Sequence, residues 1–120
     1  MTDGMKERAQ ELGRLLGQSD EYKALARARQ RLTEDTASVQ SMTRLDALER
    51  EVSVALHSGE EPPEATKEEY ERLFMELQSS AVYQGLVAAQ SNFDKILARV
   101  NEEISRGMEA GSQSRIILPS

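Results

Sequence analysis

The sequence predicts an all-α protein of about five helices, arranged as an antiparallel helical bundle with a long C-terminal helix. Apolar residues recur every three or four positions along most of the chain, as on one face of an amphipathic helix. No segment alternates apolar and polar residues as a strand would, and the chain contains only three prolines. A length of 120 residues fits one ordinary domain. We expect a single helical domain over residues 1–111 and a C-terminal tail over residues 112–120.

The first two helices are predicted to meet at a serine cap. Residues 5–16 form an amphipathic pattern that Gly17 is suited to end. Ser19 directly precedes a second apolar pattern, and serine is a preferred residue for capping the free N–H groups at a helix start. The apolar spacing lapses near Asp35. The sequence leaves open whether the helix breaks there or continues.

The third and fourth helices are separated by a proline-containing segment. The third pattern covers residues 42–56 and ends near Gly59, and the Pro62-Pro63 pair that follows cannot continue a helix. Thr66 and Glu69 have the spacing of a capping box, which predicts that the fourth helix begins after Thr66. The apolar residues that this helix is expected to bury are Tyr70, Leu73, Phe74 and Leu77.

The fifth helix has the longest apolar series in the chain. It is expected to run from Ala81 to Gly107, about 40 Å, with Gly107 and Gly111 marking its end. A compact chain of this length would be roughly 35 Å across, so the helix would extend beyond the body with apolar residues exposed. Such a surface is typical of an interface, here with a second copy of the chain. The candidate interface residues are Phe93, Ile96, Leu97, Val100 and Ile104.

A pattern in the second helix returns 61 positions later in the fifth. Ser19 and Tyr22 correspond in this shift to Ser80 and Tyr83. We expect both serines to cap helices and both tyrosines to be mostly buried. The echo fits either an internal duplication or two helix corners built from the same preferred residues.

The composition excludes several kinds of chemistry. The chain has no cysteine and a single histidine, which excludes disulfides, cysteine-ligated metals and mechanisms that need two histidines within one chain. His57 falls at a predicted helix end, where a polar or cationic side chain is favourable without any catalytic role. We therefore expect no catalytic residues, no metal site and no cofactor. No apolar run is long enough to span a membrane, and the N-terminus does not resemble a signal peptide, so a cytoplasmic protein is expected.

Two charged clusters are candidate partner-binding surfaces. The basic stripe consists of Lys23, Arg27 and Arg31, which lie on one helical face. The acidic lead-in consists of Glu60, Glu61 and Glu64. The net charge of −6 and the placement of the aromatic residues on apolar faces argue against direct, tight nucleic-acid binding. Protein partners are favoured, although both clusters are also typical of a solvated surface.

One apolar cluster lies outside the predicted helices. It is Ile116-Ile117-Leu118 in the tail, and the sequence does not indicate its role.

Taken together, the motifs resemble the YlbF/YmcA family of small bacterial helical proteins. The resemblance covers residues 5–108 and is carried by Ser19-x-x-Tyr22, Ser80-x-x-Tyr83 and the series Phe93…Ile96-Leu97…Val100-Asn101-x-x-Ile104. It implies a homo-oligomeric, cytoplasmic protein without enzymatic activity. Family members are accessory regulators of competence, sporulation and biofilm formation. They act in a complex of related proteins that influences mRNA processing by a membrane-tethered endoribonuclease.

The resemblance is incomplete at two places. Some members carry cysteines tied to an iron–sulfur cluster, and this chain has none. Members often have Asn-Pro before the last helix, where this chain has Ser79-Ser80. The interpretation we adopt is an oligomeric regulatory adaptor. The alternative is a structural or chaperone-like helical bundle with no specific regulatory role, and a helical enzyme is the least favoured.

Overall fold

The computed structural model describes residues 1–117, with side chains described for residues 1–113. That part of the chain contains five α-helices and no strand, so the predicted all-α class is confirmed. The helices are α1 (Asp3–Gly17), α2 (Asp20–Glu34), α3 (Thr36–His57), α4 (Glu64–Gln78) and α5 (Ala81–Ile117).

The molecule is elongated. Its principal extents are 73 × 37 × 23 Å and its radius of gyration is 22.2 Å, whereas a compact chain of this length would have a radius of about 14 Å. The predicted antiparallel bundle arrangement is therefore not confirmed. Much of the length comes from α5, whose 37 residues extend for about 55 Å.

Serine caps begin both α2 and α5, as predicted. The Ser19 hydroxyl accepts a hydrogen bond from the backbone N–H of Tyr22 at 3.1 Å and donates one to the carbonyl of Leu16 at 2.6 Å. The Ser80 hydroxyl accepts from the N–H of Tyr83 at 3.4 Å. Each cap satisfies an N–H group that has no partner inside its helix.

The 61-residue echo corresponds to a repeated structural unit. α1 and α4 begin and end 61 positions apart, and so do the first residues of α2 and α5. α2 and α5 pack against each other in opposite directions, and Arg29 Nη2 donates to Gln90 Oε1 at 3.3 Å between positions that are also 61 apart. Equivalent positions of the two units thus meet where the units pack.

The two units differ at Asp35, where the first one breaks. Asp35 adopts extended backbone with φ −88° and ψ 100°, which ends α2 and starts α3. The Asp35 carboxylate accepts a hydrogen bond from the hydroxyl of buried Ser38. The break left open by the sequence is therefore present, and α3 packs against α4. At the corresponding position of the second unit, α5 continues without interruption.

A glycine ends α3 as predicted. Gly59 has a positive φ of 75°. Its N–H donates to the carbonyl of Leu56 at 3.2 Å, and the N–H of Glu60 donates to the carbonyl of Ala55 at 2.9 Å. This pair of bonds is a Schellman motif, which requires a residue in the left-handed region.

The predicted capping box at Thr66 and Glu69 is wrong. α4 starts earlier, at Glu64, with Pro63 in the capping position and no side-chain cap bond. The fixed φ of proline is compatible with a helix start, and the Glu64 carboxylate lies where the helix dipole favours negative charge. Thr66 is buried inside the first turn, and the Glu69 carboxylate bonds to α3 instead.

The predicted end of α5 is also wrong. The helix passes through Gly107 and Gly111 and reaches Ile117, the last residue that the structure describes. A glycine costs a helix only about 1 kcal/mol relative to alanine, and most of the residues between these two glycines favour helix. Of the cluster expected outside the helices, Ile116 and Ile117 therefore lie in α5, and Leu118 lies outside the described residues. The boundary expected at residue 111 between domain and tail stays a prediction.

The core is small and lies between α2, α3, α4 and the first half of α5. The buried apolar residues are Leu25, Leu32, Leu45, Leu48, Leu77 and Ala89. α1 buries none of its residues. The helices therefore leave much of their apolar surface open.

Candidate protein-interaction surfaces

The basic stripe lies on α2, and Lys23, Arg27 and Arg31 are all exposed. Arg27 and Arg31 border a shallow groove of about 540 Å³ between α2 and α5, which is lined by small side chains including Ala28 and Ala89. Within residues 1–113 no ion pair involves any of the three cations. The stripe therefore presents unneutralised positive charge beside the α2–α5 contact.

The acidic lead-in lies in the loop between α3 and α4. Glu60 and Glu61 are exposed loop residues, and Glu64 is the exposed first residue of α4. Among the described side chains, no hydrogen bond or ion pair joins this cluster to the basic stripe. The structure thus keeps the two charged surfaces separate.

Part of the predicted α5 interface is used inside the chain. Phe93 contacts Tyr22 edge to face, with ring centroids 5.5 Å apart and an angle of 61°. Leu97 is half-buried. Tyr22 remains 41% exposed despite this contact, so its predicted burial is wrong. Tyr83 is half-buried.

The remaining interface candidates line an open groove between α1 and α5. Ile96, Val100 and Ile104 follow one another at four-residue spacing, and Leu12 of α1 lies beside them in a groove of about 530 Å³. Ile104 is 46% exposed. From residue 101 to residue 113 every side chain of α5 is exposed. The groove therefore lies where α5 leaves the body of the molecule.

Charged side chains flank this groove. Arg99 and Glu103 lie along it one helical turn apart. Glu103 pairs with Arg106 of the same helix at 2.6 Å, an exposed contact, and Arg99 has no acidic partner within 4.0 Å among residues 1–113. The groove thus has an apolar floor and a rim that carries one cation and one anion.

The exposed area of the chain is large for its mass. The accessible surface is 9435 Å², and a compact protein of 13.4 kDa would expose about 6,500 Å². Apolar side chains contribute on several helices: Leu15 of α1 is 61% exposed, Val54 of α3 66%, Met75 of α4 70% and Met108 of α5 70%. Phe74, expected to be buried, is 41% exposed, and it stacks on Tyr70 with ring centroids 6.1 Å apart.

Polar contacts hold α3 to α4. Arg44 donates to both carboxylate oxygens of Glu69, at 2.6 Å from Nε and 3.0 Å from Nη2. This bond lowers the pKa of Glu69 and raises that of Arg44. The Tyr70 hydroxyl donates to Glu49 at 3.2 Å. Burial raises the pKa of the Tyr70 phenol, and the bond to Glu49 adds to the shift. These groups stabilise the packing of α3 against α4.

His57 is the last residue of α3, and its Nδ1 lies 2.8 Å from the carbonyl of Ser53. The ring thus occupies the helix-end position expected from the sequence. Within the described residues there is no group of three or more histidine, aspartate and glutamate side chains that could hold a metal ion. None of the helices in this part of the chain is long and apolar enough to cross a membrane.

Sequence reasoning missed the contribution of α1 and of the groove rim. The apolar pattern of residues 5–16 predicts only that Leu12 lies on a helix face, and the charged clusters identified from the sequence include neither Arg99 nor Glu103. Their four-residue spacing beside the ridge of Ile96 and Val100 was a readable signal for the rim. The approach of Leu12 to α5 depends on how the chain turns at Ser19, which the sequence does not indicate.

Comparison with known proteins gives one match. The chain matches a family model described as control of competence regulator ComK, YlbF/YmcA, over residues 5–109. No curated protein and no solved structure matches it. The matched segment contains α2, α3 and α4 whole, together with most of α1 and the part of α5 that lines the groove. The description assigns the family a regulatory role, and the chain belongs to the YlbF/YmcA family.

Proposed function

We propose that this protein is a homo-oligomeric regulatory adaptor that acts through protein–protein contacts and has no catalytic activity. In the cell it serves as an accessory factor in competence, sporulation or biofilm control and in mRNA processing. The regulatory description of the family supports this role. Two kinds of surface are needed, one for self-association and one for the regulated partner.

The observation that carries the proposal is the uncovered apolar surface of α5. Ile96, Val100 and Ile104 stay open in a groove, on a chain whose surface exceeds that of a compact protein by roughly 2,900 Å². Stable protein interfaces bury about 1,200–2,000 Å² in total. The exposed area is therefore sufficient for a stable self-contact, and an open apolar groove is typical of a protein interface.

Self-association is tested with matched charge insertions. Light scattering of the wild type at micromolar concentration should give a mass that is a multiple of 13.4 kDa. Val100→Asp should shift the protein toward monomer, because an unpaired charge buried in an interface costs several kcal/mol. Val54→Asp introduces the same charge at an exposed position of α3 and should leave the mass unchanged. A wild type that stays monomeric contradicts the proposal.

Partner binding is assigned to the basic stripe. Lys23, Arg27 and Arg31 are exposed and have no ion-pair partner within residues 1–113. An acidic protein surface is the complementary partner, and such a contact should weaken steeply as salt rises. The acidic lead-in of Glu60, Glu61 and Glu64 offers a second surface of opposite sign.

A capture experiment from the native cell tests this assignment. The triple variant Lys23→Glu, Arg27→Glu and Arg31→Glu should fold and self-associate normally and should lose the partner set that the wild type captures. Reversal of the exposed cations Arg50, Lys67 and Arg72 on α3 and α4 makes the same change in net charge and should retain that set. If the stripe variant still captures the same partners, the stripe is only a solvated face. Capture of many unrelated proteins by the wild type would instead favour the chaperone-like alternative.

A further inference from the structure

The groove between α1 and α5 has the features of a contact with an identical groove. In a twofold symmetric contact, residue i of one copy faces residue j of the other and residue j faces residue i. The rim of this groove carries Arg99 and Glu103 on the same helix, one turn apart. When two such helices cross in opposite directions, Arg99 of each copy comes opposite Glu103 of the other. A rim with one sign of charge would instead repel its own copy.

The apolar floor has a matching geometry. Ile96, Val100 and Ile104 form a ridge at four-residue spacing along α5. Ridges of this spacing interdigitate in the commonest class of helix crossing, at about −50° between the helix axes. A crossing centred between Val100 and Asn101 brings Ile96 of one copy near Ile104 of the other. The same crossing also brings Arg99 near Glu103, so that apolar residues cover apolar residues and opposite charges meet.

The charged side chains of the rim are available to pair with those of a second copy. Arg99 has no acidic partner within 4.0 Å among residues 1–113. Within residues 1–113, Glu103 pairs only with Arg106 of its own helix, where the two side chains are 61% and 70% exposed. Exposed pairs of this kind contribute little, so little is lost when Glu103 turns to a new partner.

α1 forms the other wall of the groove through Leu12. It buries none of its residues, although α4, its counterpart 61 positions later, is covered by α3 through Arg44 and Tyr70. A second copy seated on the groove covers Leu12 together with the α5 ridge. In the dimer the second copy would therefore pack against α1 as α3 packs against α4 within the chain.

We infer that two copies of this chain associate through a twofold contact between their α1–α5 grooves, in which Arg99 of each copy pairs with Glu103 of the other. This inference rests on the proposed self-association and names its geometry and its specificity-determining residues. It is separate from partner capture by the basic stripe.

Charge reversal tests the pairing directly. Arg99→Glu places two acids opposite each other at both ends of the contact, and Glu103→Arg places two cations there. Each single variant should dissociate about 100-fold more readily than the wild type. The double variant Arg99→Glu, Glu103→Arg should recover the wild-type mass in light scattering. Equal amounts of the two single variants should form a mixed dimer that neither forms alone.

Controls separate this inference from misfolding and from the broader proposal. Leu12→Asp in the groove should weaken association, and Leu15→Asp, at a 61% exposed position of the same helix, should not. Circular dichroism should show unchanged helix content for the charge variants, since both sites are exposed. If the wild type associates and the single reversals change nothing, or the double reversal and the mixture fail to restore the dimer, the paired-groove geometry is wrong while self-association stands. A monomeric wild type overturns both.

Discussion

Arg44 on α3 and Glu69 on α4 form a two-bond ion pair, with Nε and Nη2 donating to the two carboxylate oxygens. The residues are 25 positions apart, so the pair fixes how two separate helices pack. Glu69 occupies a position that the sequence suggested for local capping. Its side chain instead stabilises a tertiary contact.

The ion pair gives α3–α4 packing a pH dependence. The pKa of Glu69 is lowered in the folded protein, first by the hydrogen bond from Arg44. A lowered folded pKa means that its stabilising contribution is present above the unfolded value of about 4.3 and is lost as the pH falls through the lower folded value. Urea unfolding of wild type and Glu69→Gln should therefore differ at neutral pH and converge in acid. Glu68→Gln, an exposed neighbour on α4, should match the wild type throughout. A gap between wild type and Glu69→Gln that persists in strong acid would contradict this account.

Two leucines of α3 should differ strongly in their contribution to stability. Leu48 is 0% exposed and Leu56 is 63% exposed. Leu48→Ala leaves a cavity in the small core and should lower the free energy of unfolding by about 2–5 kcal/mol. Leu56→Ala should change it by no more than about 0.5 kcal/mol. Denaturant melts of both variants at one protein concentration measure the contrast, and equal losses would show that Leu48 is not a core residue.

The same glycine-to-alanine change should have opposite signs at two positions. Gly59 has a φ of 75°, and no atom of the described residues lies within 4 Å of an added Cβ. Alanine there must adopt a left-handed backbone, which costs about 1–2 kcal/mol. Gly85 lies inside α5, also with open space around an added Cβ, and alanine should stabilise the helix by about 0.5–1 kcal/mol. Melting temperatures that shift in the same direction for both variants would contradict the Schellman motif at Gly59.

The two serine caps should be unequal. Ser19→Ala removes two hydrogen bonds and Ser80→Ala one longer bond of 3.4 Å, so the first loss should be the larger within the usual range of about 0.5–2 kcal/mol. Ser91→Ala, an exposed position inside α5, serves as the control and should cause no loss. Thermal unfolding measures all three. Equal melting temperatures for Ser19→Ala and the control would argue against the cap.

The sequence predicted the helices better than their ends or their packing. Periodicity located all five, and Ser19, Ser80 and Gly59 mark boundaries through bonds to nearby backbone. The capping box at Thr66 was predicted from local spacing alone. The burial of Thr66 and the bond of Glu69 to Arg44 depend on tertiary packing, which that spacing does not contain. The predicted helix end at Gly107 was wrong because a helix-weakening residue ends a helix only where another conformation is favoured.

The candidate surfaces were predicted only in part for the same reason. The exposure of Arg27 and Arg31 follows from helical phase alone. The loss of Phe93 to an internal contact with Tyr22, and the approach of Leu12 to the α5 ridge, depend on how α1, α2 and α5 cross. No periodicity within a single helix contains that information.

The extended backbone at Asp35 makes the stability of the two repeated units depend differently on protein concentration. Asp35 ends α2, and the separate helix α3 that follows packs against α4. Because α3 and α4 belong to the same chain, dilution does not weaken their contact. α5 has no such break, and α1 is proposed to be covered by a second copy of the chain. The fraction of α1 that is covered therefore depends on protein concentration. Hydrogen exchange in α1 should therefore slow as total protein concentration rises, while exchange in α4 stays constant. The amount of protein that a cell makes would then set how far α1 is ordered.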